Sequence, residues 1–216
     1  MTAMEPGASS AEAGPPTVSR PEGGRLAVAV VNGSPSRRSK TVGLTELISE
    51  VLADVLAEDG IEVEMSRIDV YGLGPGLNGA REREDVSEAA EAALRRVETA
   101  DLVIAATPVF RGSYTGMFKH FFDLIDQYAL ANTPVLLAAT GGGEHHALVL
   151  EHAMRPLFGF FQAMTVPVAV FASSADFDGT VPLTPRIHGR VETAITDVRP
   201  ILLGRVRRSA STRPRG

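Results

Sequence analysis

The chain has no cysteine, and that absence excludes the most chemistry. Disulfides, thiol nucleophiles and thiolate metal sites are ruled out together, a composition that fits a cytoplasmic protein. Also missing is any apolar run approaching the roughly 20 residues a helix needs to cross a bilayer, so no membrane role is expected. Neither sign of charge dominates. Lys and Arg number 21 against 26 Asp and Glu, a formal net charge of −5 that gives no general attraction for nucleic acid or anionic lipid. The P-loop pattern G-x-x-x-x-G-K-[ST] does not occur.

What is present fills one α/β domain. Met1 to Gly24 is rich in Ala, Gly, Pro, Ser and Glu, without the basic start and apolar centre of a signal peptide. Residues 1–24 are therefore expected to be a disordered extension. Residues 25–204 form the domain, and 205–216, with Arg205, Arg207, Arg208, Arg213 and Arg215, a basic solvated tail.

Within the domain, apolar runs alternate with helical stripes. Leu26–Val31, Ile61–Met65, Asp101–Ala106, Pro134–Ala139 and Pro167–Phe171 read as strands. Helices are expected over Thr41–Glu58, stopped by Gly60, and over Ser87–Ala100, Tyr114–Tyr128, Glu144–Met164 with a break near Pro156, and Ile187–Leu203, with an end near Pro200 as the alternative. Residues 69–84 read as a long surface loop. The alternation predicts a three-layer sandwich around a five-stranded parallel sheet. Its flavodoxin-like order is 2-1-3-4-5, and ligands sit at the switch point between the first and third strands.

Three loops leave strands at that edge. Gly33-Ser34-Pro35-Ser36-Arg37 opens the first, and Ser34, Ser36, Ser39 and Thr41 offer hydroxyls at a helix start. With Gly33 for close approach and Arg37 or Arg38 for charge, that suits a phosphate. The loop equally suits a plain capped turn. In the second loop, Pro108, Val109 and Phe110 form an apolar surface, and Arg111, Gly112, Ser113 and Tyr114 offer backbone N–H groups. An isoalloxazine ring needs both. Ser113 alternatively caps the next helix. The third loop, Thr140-Gly141-Gly142-Gly143, permits contact that any Cβ would block. His145, His146 and His152 lie nearby, but H-E-x-x-H spacing is absent, so no metal site is expected.

These loops, above all Thr107-Pro-Val-Phe-Arg-Gly-Ser-Tyr-Thr-Gly-Met-Phe-Lys119, resemble the NADPH-dependent FMN reductases of flavodoxin-like fold, over about Leu26 to Asp176. Within them the chain looks most similar to the reductases that serve two-component sulfonate monooxygenases. Glu151–Pro156 resembles a segment that lies at a subunit interface near the flavin there and is sometimes distorted into a π-bulge. The resemblance implies hydride transfer from NADPH or NADH to FMN, with the cofactors carrying the chemistry and no obligatory catalytic side chain. Arg37 or Arg38 then serves the NADPH 2′-phosphate or the FMN phosphate. The resemblance also implies a flavin-dependent monooxygenase as partner and a homodimer or homotetramer. Phe118, Phe121 and Phe122 nearly surround their helix, so either one of them faces a second subunit or the helix is fully buried in the chain's own core. The same scaffold suits a quinone, azo-dye or metal-oxyanion reductase with resident FMN, or a non-enzymatic one-electron carrier.

Overall fold

The first strand, β1 (Arg25–Asn32), is apolar on both faces because both are covered. Ala29 and Val31 join one buried cluster, while Leu26, Val28 and Val30 join the other. The computed structural model describes residues 24–212, with side chains through Arg208. The expected N-terminal extension lies outside the described residues apart from Gly24, as do residues 213–216 of the expected tail.

Beyond β1 the chain alternates as its periodicity predicts. The helix α1 (Lys40–Glu58) starts at Ser39, whose hydroxyl accepts the Val42 N–H, and Gly60 follows it at φ 73°. Next come β2 (Glu62–Asp69), α2 (Glu88–Glu98), β3 (Leu102–Pro108), α3 (Gly116–Asp123) and β4 (Pro134–Gly141). The remaining elements are α4 (Arg155–Phe160), β5 (Met164–Thr165), β6 (Val170–Ser173), the hairpin β7 (Phe177–Asp178) and β8 (Val181–Pro182), and α5 (Pro185–Thr212). The main sheet is parallel in the order β2-β1-β3-β4-β5, with β6 also paired to β4. This is the flavodoxin-like order. One apolar layer packs α1 and α5 on the sheet and the other packs α2, α3 and α4. No helix among the described residues is long and apolar enough to cross a membrane.

The fifth position of the sheet departs from the expected single strand Pro167–Phe171. Pro167 has no N–H to donate, so pairing with β4 stops after Thr165 and resumes at Val170. Two arginines satisfy carbonyls in the gap. Arg155 donates to Val166 O and Pro167 O at 3.3 Å each, and Arg190 donates to Ala169 O at 2.8 Å.

Other boundaries move for similar local reasons. The segment after β2 is not a free surface loop, since Val70 and Leu77 are fully buried. Arg83 anchors it, donating to Glu91, Glu98 and the Leu124 carbonyl. The expected helix to Tyr128 ends at Asp123. Phe118, Phe121 and Phe122 are all fully buried in the chain's own core, which decides for the fully buried helix over a phenylalanine facing a partner. The last helix runs through Pro200 to Thr212. Its buried face (Ile187, Val191, Ile195, Val198, Leu202) outweighs the one hydrogen bond the proline removes. Arg205, expected in a solvated tail, is helical and donates to Asn132 O at 2.6 Å.

Candidate functional site

Strand register sets the site. Asn32 pairs with Ala106, Pro108 with Thr140, and Gly141 with Ser173, so the loops after β1, β3, β4 and β6 leave one edge side by side. Cross-loop hydrogen bonds then hold them together. Gly33 N–H donates to Ala106 O at 2.8 Å, and Thr115 Oγ1 donates to Gly33 O at 2.8 Å. Val109 N–H donates to Thr140 O at 2.8 Å, while the Thr41 and Thr140 hydroxyls share a buried 2.7 Å bond. A Cβ on Gly33 would meet the Phe118 side chain at 2.8 Å, so glycine is required for this close approach.

The first loop leads into the N-terminus of α1, where the first N–H groups lack helical acceptors. Ser39 caps Val42, leaving the Lys40 and Thr41 amides available. Lys40 Nζ reaches Ser174 Oγ at 2.9 Å and lies 5.9 Å from the Phe177 ring centroid. It has no carboxylate partner among the described residues.

The second loop is a tight hairpin. Phe110 and Ser113 exchange both backbone hydrogen bonds, at 2.8 and 3.2 Å, around Arg111 and Gly112, whose φ angles are 52° and 83°. Two successive positive φ values match a type I′ turn. The Ser113 N–H is therefore engaged inside the turn, and those of Arg111, Gly112 and Tyr114 are left available among the described residues. The cap of α3 is Thr115, which accepts from Phe118 N–H, rather than Ser113. Phe110 remains half exposed at the rim of the crevice.

After the third loop the backbone tightens and then widens. Glu144–Ala147 is a 3₁₀ turn and Leu150–Met154 a π-helix, in which the Arg155 N–H reaches back five residues to Leu150 O. Pro156, near the start of α4, cannot donate to the turn before it, and the irregularity falls there. His146 Nδ1 accepts the Gly142 N–H at 3.1 Å, and its ring centroid lies 4.1 Å from that of His145. Among the described residues no three His, Asp or Glu side chains converge as a metal site.

One carboxylate braces the edge from behind. Asp176 is buried and accepts from Ser173 N–H (2.8 Å), Ser173 Oγ (3.1 Å), Thr184 Oγ1 (2.7 Å) and Arg186. Burial pushes its carboxyl up, but these bonds outweigh that and hold it below the ordinary value. Arg186 also reaches Glu144 beside the glycine loop at 3.2 Å. Asp176 thus fixes the turn that presents Ser174.

These loops enclose a crevice of about 330 Å³. Of the residues expected from sequence, Ser34, Ser36, Ser39, Thr41, Pro108, Val109, Phe110, Thr140, Gly141 and Gly142 line it. Arg111, Ser113, Tyr114 and Gly143 do not line it, and Tyr114 packs on Phe118. Gly112 lines a neighbouring cavity of about 470 Å³ that shares Val109 and includes His145, His146 and His152. Arg37 lies on the far side of the first loop, in a third cavity. Sequence reasoning misses Lys40 and Ser174, which also line the crevice. Lys40 follows Ser39 and could have been read as a helix-start cation; Ser174 is distant in sequence and gives no local signal.

Residues 26–178 match the family described as NADPH-dependent FMN reductase. The chain belongs to that family. An NADH-dependent FMN reductase SfnE from Pseudomonas putida is 47% identical over 174 residues, covering 79% of this chain and 91% of that protein. An FMN reductase (NADPH) from Pseudomonas aeruginosa is 43% identical, covering 82% and 93%. A solved oxidoreductase from Corynebacterium diphtheriae superposes with a TM-score of 0.75 at 32% identity, covering 85% of this chain and 99% of that one. The crevice fits the flavin that the family name implies. Amides at the α1 start, the Ser39 hydroxyl and Lys40 suit a phosphate, whereas Ser36 Oγ donates to Arg38 O at 2.7 Å, Ser34 Oγ to Ser36 O at 3.4 Å, and Thr41 shares its bond with Thr140; Pro108–Phe110 supplies an apolar wall.

Proposed function

We propose that this protein is an NAD(P)H:FMN oxidoreductase that supplies reduced FMN to a flavin-dependent monooxygenase. The observation that carries the reading is the crevice itself, in which three loops of a chain from the FMN reductase family are tied by cross-loop hydrogen bonds beside a helix N-terminus. FMN, when bound, supplies the hydride acceptor, and the dinucleotide supplies the hydride. The protein's work is to bind and orient. Lys40, Ser39 and the α1 amides hold the phosphate, with the Ser34 and Ser36 hydroxyls shaping the loop around it. Val109 and Phe110 seat the ring, and the amide of Gly112, which borders the adjoining cavity with Val109, offers a donor where negative charge develops. No side chain is required to move a proton in the hydride step.

The nearby cavity with His152 gives the dinucleotide and a second subunit room to approach. A homodimer or homotetramer is supported by exposed Tyr128, Leu148 and Phe160, the residues that take over from the buried phenylalanines of α3 as interface candidates. The lack of cysteine supports a cytoplasmic setting. The test is anaerobic mixing of the purified chain with FMN and either NADPH or NADH. Bleaching of the flavin band is expected, and no bleaching with either nucleotide refutes the reading.

A further inference from the structure

The glycine loop after β4 is closed by a single residue. His146 donates its backbone N–H to Gly143 O at 3.1 Å, and its Nδ1 accepts the Gly142 N–H at 3.1 Å. A Cβ on Gly141 would meet both the Cβ and the Nδ1 of His146 at 2.8 Å, so the imidazole fills the space that a side chain on Gly141 would take. Gly141 and Gly142 line the flavin crevice, whereas His146 lines the neighbouring cavity with His145 and His152. The ring thus stands between the two spaces. A neutral imidazole has one donor and one acceptor nitrogen, and the bond made by one fixes the state of the other. Acceptance at Nδ1 therefore requires the neutral ring with its proton on Nε2. A proton added to Nδ1 would face the Gly142 N–H and turn an attraction into a repulsion.

Resting on the reductase reading, we infer that His146 is a positioning residue for the flavin: its neutral ring holds Gly142 in the conformation that binds FMN, and its protonation releases that wall of the crevice and weakens binding. Imidazole is the side chain whose charge changes between about pH 5 and 8. The groups around the ring act in both directions. On its own turn, His145 stands with its ring centroid 4.1 Å away, and a charge there opposes a second one. Glu144 on the same turn favours a charge on the ring but is bonded to Arg186 of α5 at 3.2 Å. Beyond β6, Asp176 is bonded to Arg186 as well. From the π-helix, His152 lines the same cavity, and Glu151 accepts from Arg155 at 2.7 Å. The second loop brings Gly112 to that cavity, next in sequence to Arg111. Each of these carboxylates is thus committed to an arginine, and none bonds His146 among the described residues. The Gly142 amide is the partner that decides which nitrogen carries the proton.

The test measures the FMN dissociation constant of the full chain by quenching of flavin fluorescence between about pH 8 and 5. His146→Asn puts an amide oxygen near the place of Nδ1, an acceptor that does not titrate in this range. It retains His145, His152 and the phosphate of FMN, so the titrations of those groups cancel in the comparison with wild type. At about pH 8, H146N is expected to bind FMN within about threefold of wild type, and His146→Ala about five- to tenfold more weakly. Towards about pH 5, wild type is expected to weaken by about fivefold or more relative to H146N. Histidine ¹⁵N NMR of the wild-type chain needs no folded alanine variant: the signal missing from H146N is that of His146, and it should show the proton on Nε2. Parallel pH profiles for wild type and H146N, an H146N as weak as H146A at about pH 8, or a neutral His146 with its proton on Nδ1 overturns the inference. If FMN binds to none of the three proteins at about pH 8, the reductase reading fails instead, and the NMR signal still decides whether the ring holds Gly142.

Discussion

Replacing Asp176 by asparagine removes one negative charge and almost no volume, which isolates the bracing role of the buried carboxylate. The Asp176 side chain is 3% exposed, and both its oxygens accept. An asparagine keeps one acceptor and turns an NH₂ toward the other donors. If its oxygen stays on Ser173, the amide faces Thr184 and Arg186. The threonine hydroxyl can rotate to accept, whereas the guanidinium can only donate. Hydrogen bonds to a charged group contribute about 1.5–3 kcal/mol each. Arg186 is half exposed and recovers part of that loss in water. The net cost is then about 2–4 kcal/mol, out of a typical total stability of about 5–15 kcal/mol. At roughly 2–4 °C per kcal/mol, Tm falls by about 5–15 °C. Thermal and urea unfolding without FMN measure this directly, and a Tm drop under about 2 °C refutes the bracing role. The sign of the pH effect is fixed as well. The folded carboxyl titrates below its ordinary value of 3.8, so ionisation stabilises the fold above that value, and the contribution is lost as pH falls through the folded value. The stability gap between wild type and D176N should therefore narrow as pH drops below about 4. A gap that stays constant or widens contradicts the assignment.

Three further substitutions probe other parts of the site. Lys40→Ala should weaken FMN binding about tenfold, read by quenching of flavin fluorescence, with the difference shrinking at high salt; unchanged affinity removes Lys40 from the phosphate site. Gly33→Ala drives a methyl to 2.8–2.9 Å from the side chain of Phe118, which is fully buried and cannot swing away. The expected cost is about 1–3 kcal/mol in chemical denaturation, with a looser flavin site, and near-wild-type stability would show that α3 can retreat. Arg83→Ala leaves Glu98 and the Leu124 carbonyl without the guanidinium they share, costs about 1–3 kcal/mol, and should expose residues 70–87 to proteolytic nicking. Unaltered cleavage in that segment speaks against its anchoring.

The sheet is legible in the sequence because burial on both faces writes an unbroken apolar run into β1, β3 and β4. Helix starts are legible where a cap is local, as at Ser39 and Ser87. Features set by a single missing N–H are legible only in part. Pro167 splits the last strand while its neighbours still look like one apolar run, whereas Pro156 announces its break, and a π-helix stands in the turn before it. The burial of all three phenylalanines of α3 is hidden for a different reason. Periodicity reports how wide an apolar stripe is, but only the packing of α4 shows what covers it, here Phe158 set edge-on to Phe122 with ring centroids 4.9 Å apart.

The candidate site divides along the same line. The three glycine- and serine-bearing loops announce themselves because each is a short motif directly after a strand. The groups that complete the crevice do not, since Lys40 and the Ser174 that holds it stand 134 residues apart. One local trace of the bracing behind Ser174 does exist. Ser173-x-x-Asp176 has the spacing of a capping box, and the structure shows both of its reciprocal bonds. At a helix start such a box satisfies orphan amides and nothing more. Here the turn it closes lies at the carboxyl edge of a parallel sheet and its acid also binds Thr184 and Arg186. Capping chemistry at that edge therefore does two jobs, ending β6 and setting the position of the hydroxyl that holds the phosphate-side lysine.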